Sequence, residues 1–113
     1  YKRNLVWRDG ITLWRDVVEK SPEKYRGHIN LGRAYAIAGL FDEAEREFKK
    51  VLSLKPDYAT MYYNLGVVYE KKGLVDKAMA AYAEALRLEP NHQRATEAFE
   101  ALGSRMDRVP PIR

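Results

Sequence analysis

Cysteine is absent from this chain of 113 residues. That excludes disulfides, thiolate metal sites and cysteine nucleophiles together, and it leaves the redox compartment open. Histidine is scarce: His28 and His92 are the only two. There is no HExxH helix, no glycine-rich phosphate loop and no carboxylate–histidine cluster at metal spacing. The expectation is therefore a non-enzymatic chain with no catalytic residue, no metal site and no cofactor. No apolar run approaches the ~18 residues needed to cross a bilayer, so no membrane insertion by this segment is expected. A block of one charge sign is also missing. The net charge is +4 and the pI about 9.3, but acidic and basic residues alternate, as in "DEAEREFKK" and "EKKGLVDKA". A nucleic-acid surface wants Lys and Arg gathered on one face. Only the ends come close, with Lys2 and Arg3 at one and Arg105, Arg108 and Arg113 at the other, and no nucleic-acid partner is expected. A start at Tyr1 reads as a soluble piece of a longer protein, so a missing signal or anchor says nothing about the parent.

What is present is a repetition. "NLGRAY" begins at Asn30 and "NLGVVY" at Asn64, an offset of 34 residues. At that offset Tyr35, Gly39, Leu40, Asp42, Ala44, Leu52, Leu54 and Pro56 fall on Tyr69, Gly73, Leu74, Asp76, Ala78, Leu86, Leu88 and Pro90. A fixed period of this length marks stacked supersecondary units.

Each unit reads as two helices. Leu31, Ala34, Tyr35 and Ala38 recur at spacings of three and four, which predicts a helix over 25–38 with one apolar face. Gly39 ends it, since glycine accepts the left-handed conformation of a helix terminus. A second helix over 41–54 opens on Asp42 and Glu43, whose charges suit a helix N-terminus. Ala44, Phe48, Val51 and Leu52 form its apolar face, and Lys55-Pro56 stops it. The next unit repeats this over 59–72 and 75–88, with its stop at Glu89-Pro90. Gly32 and Gly66 sit inside helices, where glycine costs about 1 kcal/mol against alanine. Close approach to Ala44 and Ala78 on the facing helix would offset that cost, with Tyr35, Tyr69, Phe48 and Tyr82 filling the wider gaps.

These residues resemble the tetratricopeptide repeat (TPR) family, whose pattern is W-x2-L-G-x2-Y, A-x3-F, P. The first copy offers His28, Leu31-Gly32, Tyr35, Ala44, Phe48 and Pro56; the second offers Tyr62, Leu65-Gly66, Tyr69, Ala78, Tyr82 and Pro90. His28 and Tyr62 stand in for the family's tryptophan. The resemblance implies an all-α fold, an α-solenoid (a right-handed superhelix) of antiparallel helix pairs, with roughly six helices and about two and a half units. The expected organisation is a single domain over 1–104. It comprises an N-terminal half repeat (8–21, helix over 8–20), units at 25–58 and 59–92, and a capping helix (93–104, extending back to about 92) with Asn91 as its cap. A flexible tail follows at 105–113. Ser21-Pro22 reads as the start of a helix, or only as the end of the preceding one. Glu100, at the slot of Gly32 and Gly66, points to a solvent-facing last helix, because a charge is costly to bury between touching helices.

The resemblance also implies a function: the first helix of each pair lines a concave groove that takes a peptide segment of a partner protein. Residues there that packing does not use are Arg26, Ile29, Asn30, Arg33 and Ile37 in the first unit, and Thr60, Tyr63, Asn64, Val67 and Lys71 in the second. Arg94, Glu97 and Ala98 add to them from the cap. Asn30 and Asn64 hold one slot a repeat apart, and an amide both donates and accepts. They resemble the asparagine ladder in the repeats of sugar-transferring enzymes of the family, or they are scaffold residues common before Leu-Gly. The family's clamp for C-terminal carboxylates is matched only by Asn64 and Arg94; Ile29, Arg33 and Ala98 depart from it.

The first helix carries Trp7, Ile11, Trp14 and Val18 and lacks a partner helix. That edge favours self-association, including a homo-oligomer, or docking onto the parent, unless Leu5, Val6 and Trp7 fold back over it. "RNLVWRDGITLWRDVVEKSP" also resembles the segment that opens the repeat region of some bacterial multi-pass membrane proteins, through Asn4, Trp7, Thr12-Leu13-Trp14 and Ser21-Pro22. That likeness implies a membrane-anchored parent with this domain extracytoplasmic. The expected function is peptide capture, with an assembly domain as its rival.

Overall fold

A computed structural model describes residues 2–108, with side chains from residue 10 to residue 106. Among these residues the elements are α1 (Lys2–Lys20), α2 (Tyr25–Ile37), α3 (Phe41–Leu54), α4 (Ala59–Lys71), α5 (Val75–Leu88) and α6 (Gln93–Arg108). The four repeat helices match the boundaries read from apolar spacing, glycine and proline. The ends differ. α1 begins at Lys2, so Leu5, Val6 and Trp7 continue the helix instead of folding back; their side chains lie outside the described residues. α6 runs through Arg105 to Arg108, into the segment expected as tail, and residues 109–113 are outside the description.

Both first-type helices close in the same way. Leu40 N–H donates to Tyr35 O (2.8 Å) and Gly39 N–H to Ala36 O (3.0 Å); Leu74 and Gly73 do the same to Tyr69 O and Glu70 O at the same distances. This paired closure needs a left-handed residue at its centre, and Gly39 and Gly73 supply it with φ of 81° and 78°. Ser21-Pro22 does not start α2. Ser21 N–H bonds Val17 O at 3.0 Å and so finishes α1, while α2 begins after Lys24 without a side-chain cap.

The chain divides into two compact units, residues 1–57 and 58–113. In the first, α2 packs against both α1 and α3; in the second, α5 packs against both α4 and α6. Inside each unit the helical glycine has a definite use. A Cβ on Gly32 would lie 2.6 Å from the Phe48 ring, and one on Gly66 would overlap the Tyr82 ring. The expectation that Ala44 and Ala78 are the counterparts of these glycines is therefore corrected. Both alanines are fully buried, but it is the aromatic ring that lies in the glycine notch. Burying a ring is worth about 1.5–3 kcal/mol, which outweighs the ~1 kcal/mol helix cost of glycine. Gly27 serves α1 likewise: a Cβ there would meet Val18 at 3.3 Å and Val17 at 3.4 Å. α6 buries Ala95 and Leu102 and leaves Glu100 exposed, as the substituted glycine slot implies.

Candidate functional site

On α2 the 3.6-residue period divides the helix cleanly. Gly27, His28, Leu31 and Gly32 are buried. Arg26, Arg33 and Ile37 are exposed, and Ile29 and Asn30 are half-buried. The five residues assigned to the open face therefore share it, and Ile37 is the barest of them at 68% exposure.

The buried face of this helix holds a feature that sequence reasoning left out. His28, only 3% exposed, bonds Glu47 Oε1 of α3 through Nδ1 at 2.8 Å and donates from Nε2 to Pro22 O at 2.8 Å. Lys50 Nζ donates to the other Glu47 oxygen at 3.2 Å. The packing role assigned to His28 holds, but the slot is polar and spans two helices and a turn. Glu47 sits in "DEAEREFKK", where acidic and basic residues alternate as on a solvated face. Its one distinguishing mark is position, one residue before the core Phe48 and three after the core Ala44.

On α4, Thr60, Tyr63, Asn64 and Val67 are half-buried and Lys71 is exposed. α6 brings Arg94 to them. Its guanidinium stands over the Tyr63 ring at 5.7 Å, a cation–π arrangement that leaves its N–H groups for an acceptor. The Tyr63 ring also lies 5.9 Å from Tyr82 and 5.7 Å from His92. Beside this group a shallow recess of about 390 Å³ is lined by Thr60, Glu89, His92, Gln93, Arg94 and Glu97. The Asn64 amide makes one weak contact, to Met61 Sδ at 3.9 Å.

The cap of α6 is His92, not Asn91. Ala95 N–H donates to His92 Nδ1 at 3.1 Å. A nitrogen that accepts carries no hydrogen, so Nε2 bears the hydrogen and donates to Thr60 Oγ1 at 3.1 Å. Histidine is not among the usual cap residues, and the sequence contains no other signal for it. The far end of α6 is tied as well: Arg105 donates to Glu70 Oε2 at 2.9 Å, and Tyr82 O–H donates to Glu70 Oε1 at 2.5 Å. Burial, reinforced by the bond to Glu70, pushes the Tyr82 phenol far above its ordinary range.

On α1, Ile11, Trp14 and Val18 are half-buried, and the Trp7 side chain lies outside the described residues. Val18 faces Gly27 of α2. Leu13, which sequence reasoning left out of the edge, is 56% exposed. Among the described residues no cluster of three His, Cys, Asp or Glu side chains could hold a metal, and no helix is long and apolar enough to cross a membrane.

Paired helices of one length, closed by one glycine motif and interlocked through one glycine–aromatic notch, define a helical-repeat protein. The chain belongs to the tetratricopeptide repeat family. The TPR repeat profile matches residues 32–73 and the tetratricopeptide repeat profile residues 59–92. The chain is similar to Protein O-mannosyl-transferase Tmtc1 of Drosophila melanogaster, 36% identical over 59 residues, which is 52% of this chain; it spans 7% of the length of that relative. Its fold is similar to the first TPR of Spaghetti (RPAP3) bound to the HSP90 peptide SRMEEVD, with a TM-score of 0.82 at 20% identity, covering 95% of this chain and 85% of that one. It is also similar to YrrB, described as a TPR protein with an unusual peptide-binding site, with a TM-score of 0.81 at 26% identity, covering 83% and 48%. The fold class is the all-α TPR solenoid.

Proposed function

We propose that this chain is a non-enzymatic interaction module that binds a peptide segment of a partner protein on the open faces of its first-type helices. The observation that carries the reading is the pair of half-buried amides at one repeat position. Asn30 and Asn64 lie on the side of α2 and α4 away from the core, and Asn64 has only a weak sulfur contact within the protein. An amide so placed can pair with the backbone of an extended chain whatever its side chains. Arg94, held over Tyr63 with its N–H groups available, adds a donor for a carboxylate or carbonyl. The Spaghetti domain holding a peptide and the peptide-binding site ascribed to YrrB support the same use here.

The test is selection of a displayed random-peptide library on the wild-type chain and on the Asn30→Ala, Asn64→Ala double variant, both first shown to have equal helicity. Sequences enriched on the wild type and lost on the variant are the expected result. Equal enrichment on both removes the amides from the binding role.

Exposed Leu13 favours a second reading, in which α1 makes the contacts of an assembly domain. Trp14→Ala would then weaken self-association or docking onto a longer parent and leave peptide selection intact. The match to an O-mannosyl-transferase supports a parent in which this repeat domain accompanies a sugar-transferring part.

A further inference from the structure

We propose that the His28–Glu47 pair makes the first unit, and not the second, responsive to pH, by requiring one shared hydrogen to keep three segments clasped. Pro22 O is a carbonyl and can only accept, so the hydrogen of the 2.8 Å bond belongs to His28 Nε2. The second 2.8 Å bond, between Nδ1 and Glu47 Oε1, then needs a hydrogen of its own. Whether it resides on the ring or on the carboxyl, the pair contains one hydrogen more than a neutral imidazole facing a carboxylate. Removing it leaves two acceptors facing each other at bonding distance in a buried site, which is costly. The bond between α2 and α3 then opens. Adding a further hydrogen at low pH has no such effect, because the carbonyl oxygen of a protonated Glu47 still accepts from Nδ1. The clasp is thus tolerant of acid and opened by base.

The surroundings leave this pair to decide the response. From α3, the charged groups at the clasp are Glu47 itself and Lys50, bound to its other oxygen. From the turn, the clasp receives the Pro22 carbonyl, while Glu23 and Lys24 are exposed. α1 approaches α2 with Val17 and Val18 against Gly27, and its Arg15, Asp16, Glu19 and Lys20 are exposed, with Lys20 paired to Asp16 at 3.0 Å. α2 itself adds half-buried Tyr25 and exposed Arg26 next to the clasp. In the second unit the same two slots hold Tyr62 and Ala81, which form no such pair.

The sign follows from proton count. At pH values where an unfolded His28–Glu47 segment has released the shared hydrogen and the folded unit retains it, unfolding releases a proton. Stability of the first unit then falls as pH rises, by up to about tenfold in the opening equilibrium per pH unit. Native-state hydrogen exchange, resolved by residue and corrected for intrinsic rates, reads this from about pH 5 to about pH 9, which brackets the ordinary imidazole range. Amides of α2 and α3 should lose protection as pH rises, and amides of α4 and α5 should not. Glu47→Gln is the discriminating variant. Its amide N–H donates to a neutral Nδ1, so the clasp closes without the extra hydrogen, and protection of the first unit should become independent of pH while staying high. Equal pH slopes in wild type and Glu47→Gln, equal slopes in both units, or a flat wild-type profile would each overturn the proposal. Nitrogen-15 spectra of His28 give a second readout: a titration step in the wild type that vanishes in Glu47→Gln supports it, and a step common to both refutes it.

Discussion

In the first repeat α2 and α3 are joined by a buried polar pair, His28 and Glu47, while the ring set against the glycine notch is an unadorned Phe48. In the second repeat the arrangement is reversed. The slots of His28 and Glu47 hold Tyr62 and Ala81, and the notch ring is Tyr82, whose hydroxyl donates to Glu70 and through it meets Arg105 of α6. Glu70 itself replaces Ala36. Both repeats thus contain one buried hydrogen-bonded link between their helices, set at different heights. A repeat specifies where the helices touch through glycine and ring, and leaves open where the polar link is placed. Removing one partner of a buried charged pair costs far more than the pair contributes, so each link, once present, fixes its neighbours.

The sharpest way to break this comparison is at the notches. Gly66→Ala places a methyl against a ring whose hydroxyl is anchored to Glu70; overpacking of that kind costs about 3 kcal/mol. Gly32→Ala meets Phe48, which has no polar tether and can shift, so its cost should be smaller by about 1 kcal/mol. Urea unfolding of the two variants should rank them in that order, and the reverse order would show that Glu70 does not hold the ring.

A smaller effect makes the second repeat resemble the first. Tyr82→Phe deletes the hydroxyl and should cost about 1.5 kcal/mol near neutral pH. Because the folded phenol is raised above its ordinary value, its contribution is complete below about pH 10 and is lost as pH rises beyond it. Thermal unfolding followed into alkali should show the wild type approaching the variant.

The smallest effect concerns α6. Arg105 is 62% exposed where it meets Glu70, so Arg105→Ala should cost about 0.5 kcal/mol, and less as salt is added. A cost that resists salt would mean that the α6 tie is more deeply buried than its geometry indicates.

The parts of the fold legible from sequence are those set by local rules. Gly39 and Gly73 are where a left-handed residue is needed, Pro56 and Pro90 lie just beyond the helix stops, and the period of 34 residues pairs the helices. The open face of α2 was legible for the same reason, because once Leu31 and His28 point inward, Arg26, Asn30 and Arg33 must point away. What escaped depends on contacts between distant positions. Glu47 carries the same letter as its exposed neighbours, and only the fold shows that it faces His28. Arg105 reaches Glu70 from a segment that composition describes as a tail. His92 reads as a loop residue until Thr60 and Ala95 are placed around its ring.

Those two histidines have a consequence at the bench. Four ring nitrogens are present in the whole chain, and each is already bonded: His28 to Glu47 and Pro22, His92 to Thr60 and Ala95. The folded protein owns two imidazoles and lends neither. It should pass unretained over immobilised nickel and resist acylation by histidine-directed reagents, so that any reactivity gained on warming is a direct gauge of the helices coming apart.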